Sequence, residues 1–181
     1  ETDDIFQLGI ELANKHDKIS ILDTYGSHLQ NCIDAGPTVI HNNKDEVERS
    51  LGISLDTEEK KLNYMRELFS KNVKLSFLTD GADPVYASKF DFHYRIIPPC
   101  IEPLDSTGSG DAFVAGIAYG LETALVFDEF VKIATGLGTA NAEMLETCEV
   151  SFERMENFSK QVEVTPIGKK MKIIDDTPNY K

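Results

Sequence analysis

The sequence has few cysteines, no long apolar run and few basic side chains, and each of these shortages excludes a class of protein. Cysteine occurs only at Cys32, Cys100 and Cys148. The cysteines stand far apart and are odd in number, so they indicate neither a disulfide framework nor a zinc knuckle. No apolar run is long enough to cross a membrane, and the acidic first residues do not resemble a signal peptide. We therefore expect a cytoplasmic protein with no membrane partner.

Positive charge is also scarce, with 18 lysines and arginines against 31 aspartates and glutamates and a net charge of −13. An acidic balance of this kind argues against a nucleic-acid partner. The histidines show no metal-ligand spacing, so we interpret each as a surface or structural residue: His16, His28, His41 and His93. With 181 residues, 41% of them hydrophobic, the chain is long enough for one domain with a core.

Short apolar strands alternate with longer helical segments along most of the chain. Strands are predicted at 19–22, 38–40 and 74–79, and helices at 3–16, 27–35, 43–51 and 57–72. This alternation predicts βαβ units and a parallel sheet in an α/β domain. The segment 85–97 breaks the rhythm and predicts an antiparallel hairpin at one edge of the sheet. Helices are predicted at 110–125, 127–147 and 151–159, then a strand at 162–164 and a loosely held polar tail at 168–181.

The most informative stretch reads Asp-Ser-Thr-Gly-Ser-Gly-Asp-Ala-Phe, from Asp105 to Phe113. It leads into a predicted helix, so its glycine-rich turn should leave several backbone N–H groups unpaired and aimed at one point. The helix dipole adds positive potential there, which favours an anion such as phosphate. Asp111 stands beside this point, where a carboxylate can take the proton from a hydroxyl that attacks phosphorus. The alternative is a plain Gly-Ser turn with Asp111 as a helix cap.

Two familiar phosphate loops are excluded, because the sequence has no Gly-x4-Gly-Lys-Ser/Thr run and has Phe113 where a dinucleotide fingerprint needs its third glycine. The stretch instead resembles the C-terminal signature of the ribokinase-like (PfkB) carbohydrate kinases. The resemblance implies that Asp111 is the catalytic base and that the N–H groups of Gly108, Ser109 and Gly110 form an anion hole for the transferred phosphoryl group. It also implies the fold of that family, a three-layer α/β/α sandwich with a mostly parallel sheet.

A second resemblance lies at Asn43 to Glu46, which is similar to the family's Asn-x-x-Glu motif. An amide and a carboxylate three residues apart at a helix start lie on one face, where they are implied to hold Mg²⁺ beside nucleotide phosphates. The alternative is a helix cap in which Glu46 reaches back, as in a capping box. The family usually has proline before this asparagine, whereas this chain has Asn42, with His41 one position further back.

Two further pairs of residues resemble the family's ATP and cation contacts. Thr79 and Gly81 match the strand end that contacts ATP, although Pro84 replaces a glycine of the usual pattern, and an ordinary Asp-Gly turn is the alternative. Asp105 and Thr107 match positions that bind a monovalent cation in some members, which implies K⁺. The family's second cation loop is not found after residue 145.

The predicted helix at 127–147 has a stripe of apolar and small residues that includes Gly138 and Leu145. Asn141 is the polar member of this stripe, so we expect it to be buried with a hydrogen-bond partner. The resemblance implies that Gly138 and Asn141 border the adenine of ATP. A core asparagine bonded to backbone is the alternative for Asn141.

The polar residues that follow the predicted strands are expected to converge. Asp23, Asn43, Thr79 and the turn at 105–111 each follow a strand, and ligands of open parallel sheets bind beyond the carboxyl ends of the strands. The sequence therefore predicts one crevice at this edge of the sheet.

The resemblance covers about residues 1–165 and corresponds to the C-terminal part of such kinases. We expect residues 1–167 to form the ATP-binding and catalytic part of a ribokinase-like domain, without the N-terminal strands, the lid and most sugar contacts of the family. This predicts a fragment, a truncated product or half of a split kinase, with little activity by itself. A homodimer is implied for the full-length protein.

The implied reaction is transfer of the γ-phosphoryl group of MgATP to a hydroxyl of a sugar phosphate. Asp-Thr-x-Gly at 23–26 and the stretch 160–164 look most like the 1-phosphofructokinase/tagatose-6-phosphate kinase branch. A ribokinase or nucleoside kinase is the alternative within the same class. A non-catalytic nucleotide-binding fragment, or a subunit that needs a partner chain, is the alternative outside it.

Overall fold

The computed structural model describes residues 4–168, which form one sheet with helices on both faces. The strands are β1 (Ile21–Asp23), β2 (Val39–Asn43), β3 (Leu75–Thr79), β4 (Val85–Lys89), β5 (Phe92–Ile97) and β6 (Glu163–Ile167). The helices are α1 (Ile5–Lys15), α2 (Leu29–Asp34), α3 (Lys44–Leu51), α4 (Glu58–Ser70), α5 (Ser109–Glu122), α6 (Phe127–Ala142) and α7 (Phe152–Ser159). The polar tail predicted at 168–181 lies outside the described residues from residue 169 onward.

The six strands form a mixed sheet in the order β1-β2-β3-β4-β5-β6. β1, β2 and β3 pair in parallel, whereas β4, β5 and β6 are added antiparallel. The α/β class is confirmed, and parallel pairing is confined to the first three strands. The hairpin predicted at 85–97 is present, but it does not lie at the edge of the sheet, because β6 pairs with β5.

Side chains of the central strands alternate between two apolar cores, one on each side of the sheet. Val39 and Phe77 belong to the core beneath α5 and α6. Ile40 and Leu78, each the next residue along, belong to the core beneath α1 to α4. This arrangement is the expected three-layer α/β/α sandwich.

The helix α1 contributes little to its core. Its residues Ile5, Leu8 and Leu12 have the spacing of one helix face, and each is more than half exposed, whereas Ile10 is buried. Within residues 4–168, no helix combines the length and the apolar character that a membrane span requires.

α5 and α6 approach closely because glycines stand at their contact. A Cβ on Gly116 would lie 2.5 Å from the Cα of Ala134, and a Cβ on Gly120 would overlap Phe130. This packing fixes the start of α5, where the glycine-rich turn lies. α6 ends at Ala142 rather than near residue 147, so the prediction that Leu145 belongs to its buried stripe is wrong, and that residue is exposed.

Candidate functional site

The carboxyl ends of β1, β2 and β3 lie side by side at one edge of the sheet, because these strands are parallel. They end at Asp23, Asn43 and Thr79, and the last two are register partners. The turn before α5 lies over the same edge, since a Cβ on Gly110 would be 3.4 Å from Cε1 of His41. The structure therefore brings together the strand ends and the turn that were expected to share one crevice.

The turn before α5 has a backbone conformation that favours glycine. Gly108 is the N-cap residue of the helix and has φ 76° and ψ 1°, in the left-handed region. The N–H of Ser109 donates to the carbonyl of Ser106 at 3.0 Å, and its place in the anion hole stays a prediction. The N–H groups of Gly108, Gly110 and Asp111 have no hydrogen-bond partner within residues 4–168. These three groups, at the positive end of the helix, form the candidate anion hole.

Asp111 lies in the first turn of α5, and its side chain is exposed. The helix is capped at Gly108 without any side-chain hydrogen bond, so Asp111 is not its cap. In the part of the chain that the structure describes, the carboxylate makes no hydrogen bond or ion pair. It is therefore open to a substrate hydroxyl, as a general base must be.

Asn141 holds the turn in place from α6. Its side chain is 1% exposed, and Nδ2 donates to the carbonyl of Thr107 at 2.8 Å and to Oγ of Ser109 at 3.0 Å. Its Oδ1 accepts from the N–H of Cys148 at 2.7 Å. The expected burial with a partner is confirmed, and the partners include the backbone of the turn. A Cβ on Gly138 would lie 3.1 Å from the carbonyl oxygen of Ser109, so α6 also approaches the turn closely there. Contact of Asn141 and Gly138 with adenine stays a prediction.

His41 is the member of this site that sequence reasoning missed. Its side chain is 3% exposed, with Nε2 at 3.1 Å from Oγ1 of Thr79. Its Nδ1 lies 3.2 Å from Oδ2 of Asp23, although the angle does not make a hydrogen bond. The ring centroid lies 5.3 Å from that of Phe113 on α5. The one available signal was its position two residues before Asn43, on the same face of a strand that leads into the site.

Asn43 caps α3, because its Oδ1 accepts from the N–H of Asp45 at 3.0 Å. Burial and the nearby charge of Asp23 raise the pKa of Glu46. No group of three or more His, Cys, Asp and Glu side chains among residues 4–168 forms a metal site. Binding of Mg²⁺ by Asn43 and Glu46 stays a prediction, and such an ion would take its other ligands from phosphates and water.

The residues after β3 form an Asp-Gly turn with a lysine pair on one side. Gly81 has φ 58°, and the N–H of Asp83 donates to the carbonyl of Asp80 at 3.0 Å, which closes a turn. Contact of Thr79 and Gly81 with ATP stays a prediction. The Asp80 carboxylate lies 3.1 Å from Nζ of Lys44 and 3.2 Å from Nζ of Lys61. The Asp80 carboxylate raises the pKa of Lys44. This cluster joins α3 and α4 to the end of β3.

Asp105 and Thr107 form a local turn at the rim of the site. Oδ1 of Asp105 accepts from the N–H of Thr107 at 2.8 Å, and this bond lowers the pKa of the Asp105 carboxyl. The Thr107 carbonyl accepts from Asn141. A monovalent cation at these residues stays a prediction.

A pocket of about 610 Å³ opens beside the site, between the loop after β1 and α3. Its lining residues are Tyr25, Gly26, Ser27, Glu46, Arg49 and Ser50. Glu46 therefore faces both this pocket and the strand ends. The pocket is wide enough for a small polar molecule next to the candidate cation position.

Residues 2–153 match the sequence model of the pfkB family carbohydrate kinases. The chain belongs to the pfkB family of carbohydrate kinases. This finding confirms the resemblance that the Asp105–Phe113 stretch carries.

Solved structures of pfkB-like kinases have the same fold. A proposed phosphofructokinase from Staphylococcus aureus is 21% identical with a TM-score of 0.81, over 94% of this chain and 55% of that one. Phosphofructokinase-2 from Escherichia coli, in complex with potassium, is 17% identical with a TM-score of 0.81, over 89% and 53%. A ribokinase from Arabidopsis thaliana, complexed with ribose and ATP, is 18% identical with a TM-score of 0.74, over 87% and 53%. This pfkB-family chain thus spans about half the length of the structures it matches.

Asn42, which stands where the family usually has proline, makes a hydrogen bond in the core. The Asn42 side chain is buried, and its Oδ1 accepts from the hydroxyl of Tyr64 at 2.9 Å. Proline has no side-chain acceptor for this hydroxyl. In this pfkB-family chain, Asn42 therefore ties the end of β2 to α4.

Proposed function

We propose that this pfkB-family chain provides the nucleotide-binding and catalytic part of an ATP-dependent kinase that phosphorylates a hydroxyl of a sugar phosphate. One observation carries the proposal: the exposed, unpaired carboxylate of Asp111 lies beside the unpaired N–H groups of Gly108, Gly110 and Asp111. A base and an anion hole at one helix start are the two devices that phosphoryl transfer to a hydroxyl needs. The fructose-1-phosphate/tagatose-6-phosphate type of acceptor is supported by the sequence resemblance, and phosphofructokinases among the structural neighbours support a sugar phosphate in general.

In the proposed mechanism, Asp111 takes the proton of the acceptor hydroxyl as its oxygen bonds to the γ-phosphorus of ATP. The bond between that phosphorus and the oxygen bridging to ADP breaks, and ADP leaves. The N–H groups of Gly108 and Gly110 stabilise the charge on the transferred phosphoryl oxygens. Mg²⁺, held by Asn43 and Glu46 with the nucleotide phosphates, would neutralise phosphate charge.

The remaining contacts proposed for ATP come from the ends of β3 and α6. Thr79 supplies a hydroxyl and Gly81 a close backbone approach, while Gly138 and Asn141 border the adenine. K⁺ is proposed at Asp105 and Thr107, and one structural neighbour was solved in complex with potassium. A homodimer of the whole protein is also proposed from the sequence resemblance, and one structural neighbour, phosphofructokinase-2 from Escherichia coli, is itself oligomeric, with a tetrameric inhibited form.

A ribokinase-type acceptor is the second candidate, because the ribokinase complexed with ribose and ATP has the same fold. Phosphorylation assays with fructose-1-phosphate, tagatose-6-phosphate, ribose and nucleosides separate the two candidates. Turnover confined to the sugar phosphates supports the first, and turnover confined to ribose or nucleosides supports the second.

The substitution Asp111→Asn tests the base. In the protein expressed from its complete coding sequence, we expect kcat to fall by about 100-fold or more while MgATP affinity is retained. The matched control is Glu122→Gln, which removes an exposed carboxylate at the far end of α5 and should leave kcat unchanged. Steady-state kinetics and calorimetric titration with MgATP measure both quantities. Near-wild-type turnover of Asp111→Asn would remove Asp111 as the base.

A further inference from the structure

His41 connects the two sides of the candidate site, and the proposed mechanism gives it no role. It lies on β2 between its register partners Asp23 on β1 and Phe77 on β3. Register partners in neighbouring strands point to the same face of a sheet. Phe77 belongs to the core beneath α5 and α6, so the imidazole points into the layer that carries the glycine turn.

On the nucleotide side, the imidazole holds the hydroxyl of Thr79. Nε2 of His41 lies 3.1 Å from Oγ1 of Thr79, and the same oxygen lies 3.3 Å from the carbonyl of Asn42. The Thr79 hydroxyl is therefore held between the imidazole and the backbone of β2. Together the two contacts fix the position of the Thr79 oxygen.

On the phosphoryl side, the same ring supports the first turn of α5. A Cβ on Gly110 would lie 3.4 Å from Cε1 of His41, so the ring edge lies directly against the backbone that carries an unpaired N–H. The ring is also 5.3 Å, between centroids, from Phe113 one turn further along the helix. A shift of the imidazole would therefore move the N–H groups of Gly110 and Asp111.

We propose, on the basis of the proposed function, that His41 is a positioning residue that fixes the Thr79 hydroxyl relative to the N–H groups of Gly110 and Asp111. The nucleotide and the transferred phosphoryl group are then held in one geometry. His41 touches neither and acts through its hydrogen bond to Thr79 and its contact with Gly110. A misplacement of about 1 Å at such a site lowers the rate by about 100-fold.

A ring that only fills space between Phe77 and Phe113 is the competing explanation. In that case the volume of the side chain matters and its hydrogen bond to Thr79 does not. Three substitutions separate the explanations. His41→Gln keeps an amide donor near the position of Nε2, His41→Asn has an amide that does not reach Thr79, and His41→Leu keeps apolar volume without a donor.

The first measurement uses the ¹⁵N-labelled chain without any ligand, so it does not depend on kinase activity. Every variant loses the ring current of the imidazole, so His41→Gln is the reference for the other two. Relative to His41→Gln, we expect the backbone amide resonances of Thr79, Gly110 and Asp111 to shift together in His41→Asn and His41→Leu. Resonances at Gly110 that are the same in His41→Leu and His41→Gln, or that shift independently of Thr79, would overturn the proposal.

The second measurement is steady-state kinetics with MgATP on the protein expressed from its complete coding sequence. We expect kcat/KM for His41→Gln within about threefold of wild type, and losses of about 10- to 100-fold for the other two variants. Melting temperatures of the Gln and Asn variants should be similar. Equal activity of these two variants, or losses that follow melting temperature, would contradict positioning. If wild-type protein phosphorylates no acceptor, the proposed function fails, while the ligand-free resonances still decide the role of His41.

Discussion

Two independent constraints require glycine at position 108. Its φ of 76° lies in the left-handed region, and a Cβ there would overlap Cγ2 of Thr147 and approach Sγ of Cys148 to 3.1 Å. Rotation of the Thr147 side chain would relieve only the first contact. Any other residue at this position would therefore strain both the turn and its neighbour, and the candidate anion hole depends on that turn.

Substitution of Gly108 by alanine should therefore destabilise the fold by about 2 kcal/mol or more, from backbone strain and overpacking together. The matched control is Gly52→Ala at the C-cap of α3, where φ is 66° and no atom lies within 4 Å of the added Cβ. The control should lose only about 1 kcal/mol, the cost of a left-handed alanine. Urea unfolding monitored by circular dichroism measures both losses. Equal losses would show that contact with Thr147 and Cys148 is unimportant.

Residues that act within one contiguous stretch were the ones that the sequence could predict. Asp111 and Gly108 lie in a single turn, so spacing alone indicates a carboxylate beside unpaired N–H groups. His41 could not be found in this way, because its role depends on the register that places it beside Asp23 and against Gly110. The hydrogen bond from the N–H of Ser109 to the carbonyl of Ser106 was not predicted either, because residue types do not show where a turn closes.

At the scale of elements, the same glycine-to-alanine substitution should lower the stability of the protein on one helix and raise it on another. On α5, a Cβ at Gly116 would lie 2.5 Å from Cα and 2.9 Å from N of Ala134, and backbone atoms cannot rotate away. We expect Gly116→Ala to destabilise the protein by about 1 to 3 kcal/mol. On α1, nothing lies within 4 Å of a Cβ at Gly9, so Gly9→Ala should stabilise by about 0.5 to 1 kcal/mol through its effect on helix propensity.

Thermal and urea unfolding of the two variants measure these opposite effects side by side. A gain in stability for Gly116→Ala would mean that α5 and α6 are not in close contact. A loss for Gly9→Ala would mean that α1 has a packing partner at that position.

Helices and strands were predictable as elements because each has a local pattern, whereas their ends and partners depend on distant residues. α6 ends at Ala142 because the Asn141 side chain is committed to Thr107, Ser109 and the N–H of Cys148, which turns the chain toward the glycine stretch. The hairpin lies inside the sheet because β6, from the far end of the described chain, pairs with β5. The hydrophobic periodicity of α6 does not show where the helix ends, and that of the hairpin does not show which strand pairs with it.

At the scale of the whole molecule, the two cores are joined by strands that they share. Phe77 on β3 belongs to the core beneath α5 and α6, and Leu78, the next residue, belongs to the core beneath α1 to α4. Loss of either helical layer would expose one face of the same strand. The two layers should therefore unfold together, as one cooperative unit.

Two neighbouring substitutions test this coupling, since Phe77→Ala and Leu78→Ala each remove a fully buried side chain from a different core. Each should lower the free energy of unfolding by about 3 kcal/mol or more. Amide hydrogen exchange of Met65 on α4 and Ile117 on α5 then reports on the two layers, because both residues are buried in opposite cores. In each variant we expect the two amides to exchange faster by the same factor, because each amide exchanges only when the whole protein unfolds. Faster exchange of Ile117 alone in Phe77→Ala, or of Met65 alone in Leu78→Ala, would show that the layers unfold separately.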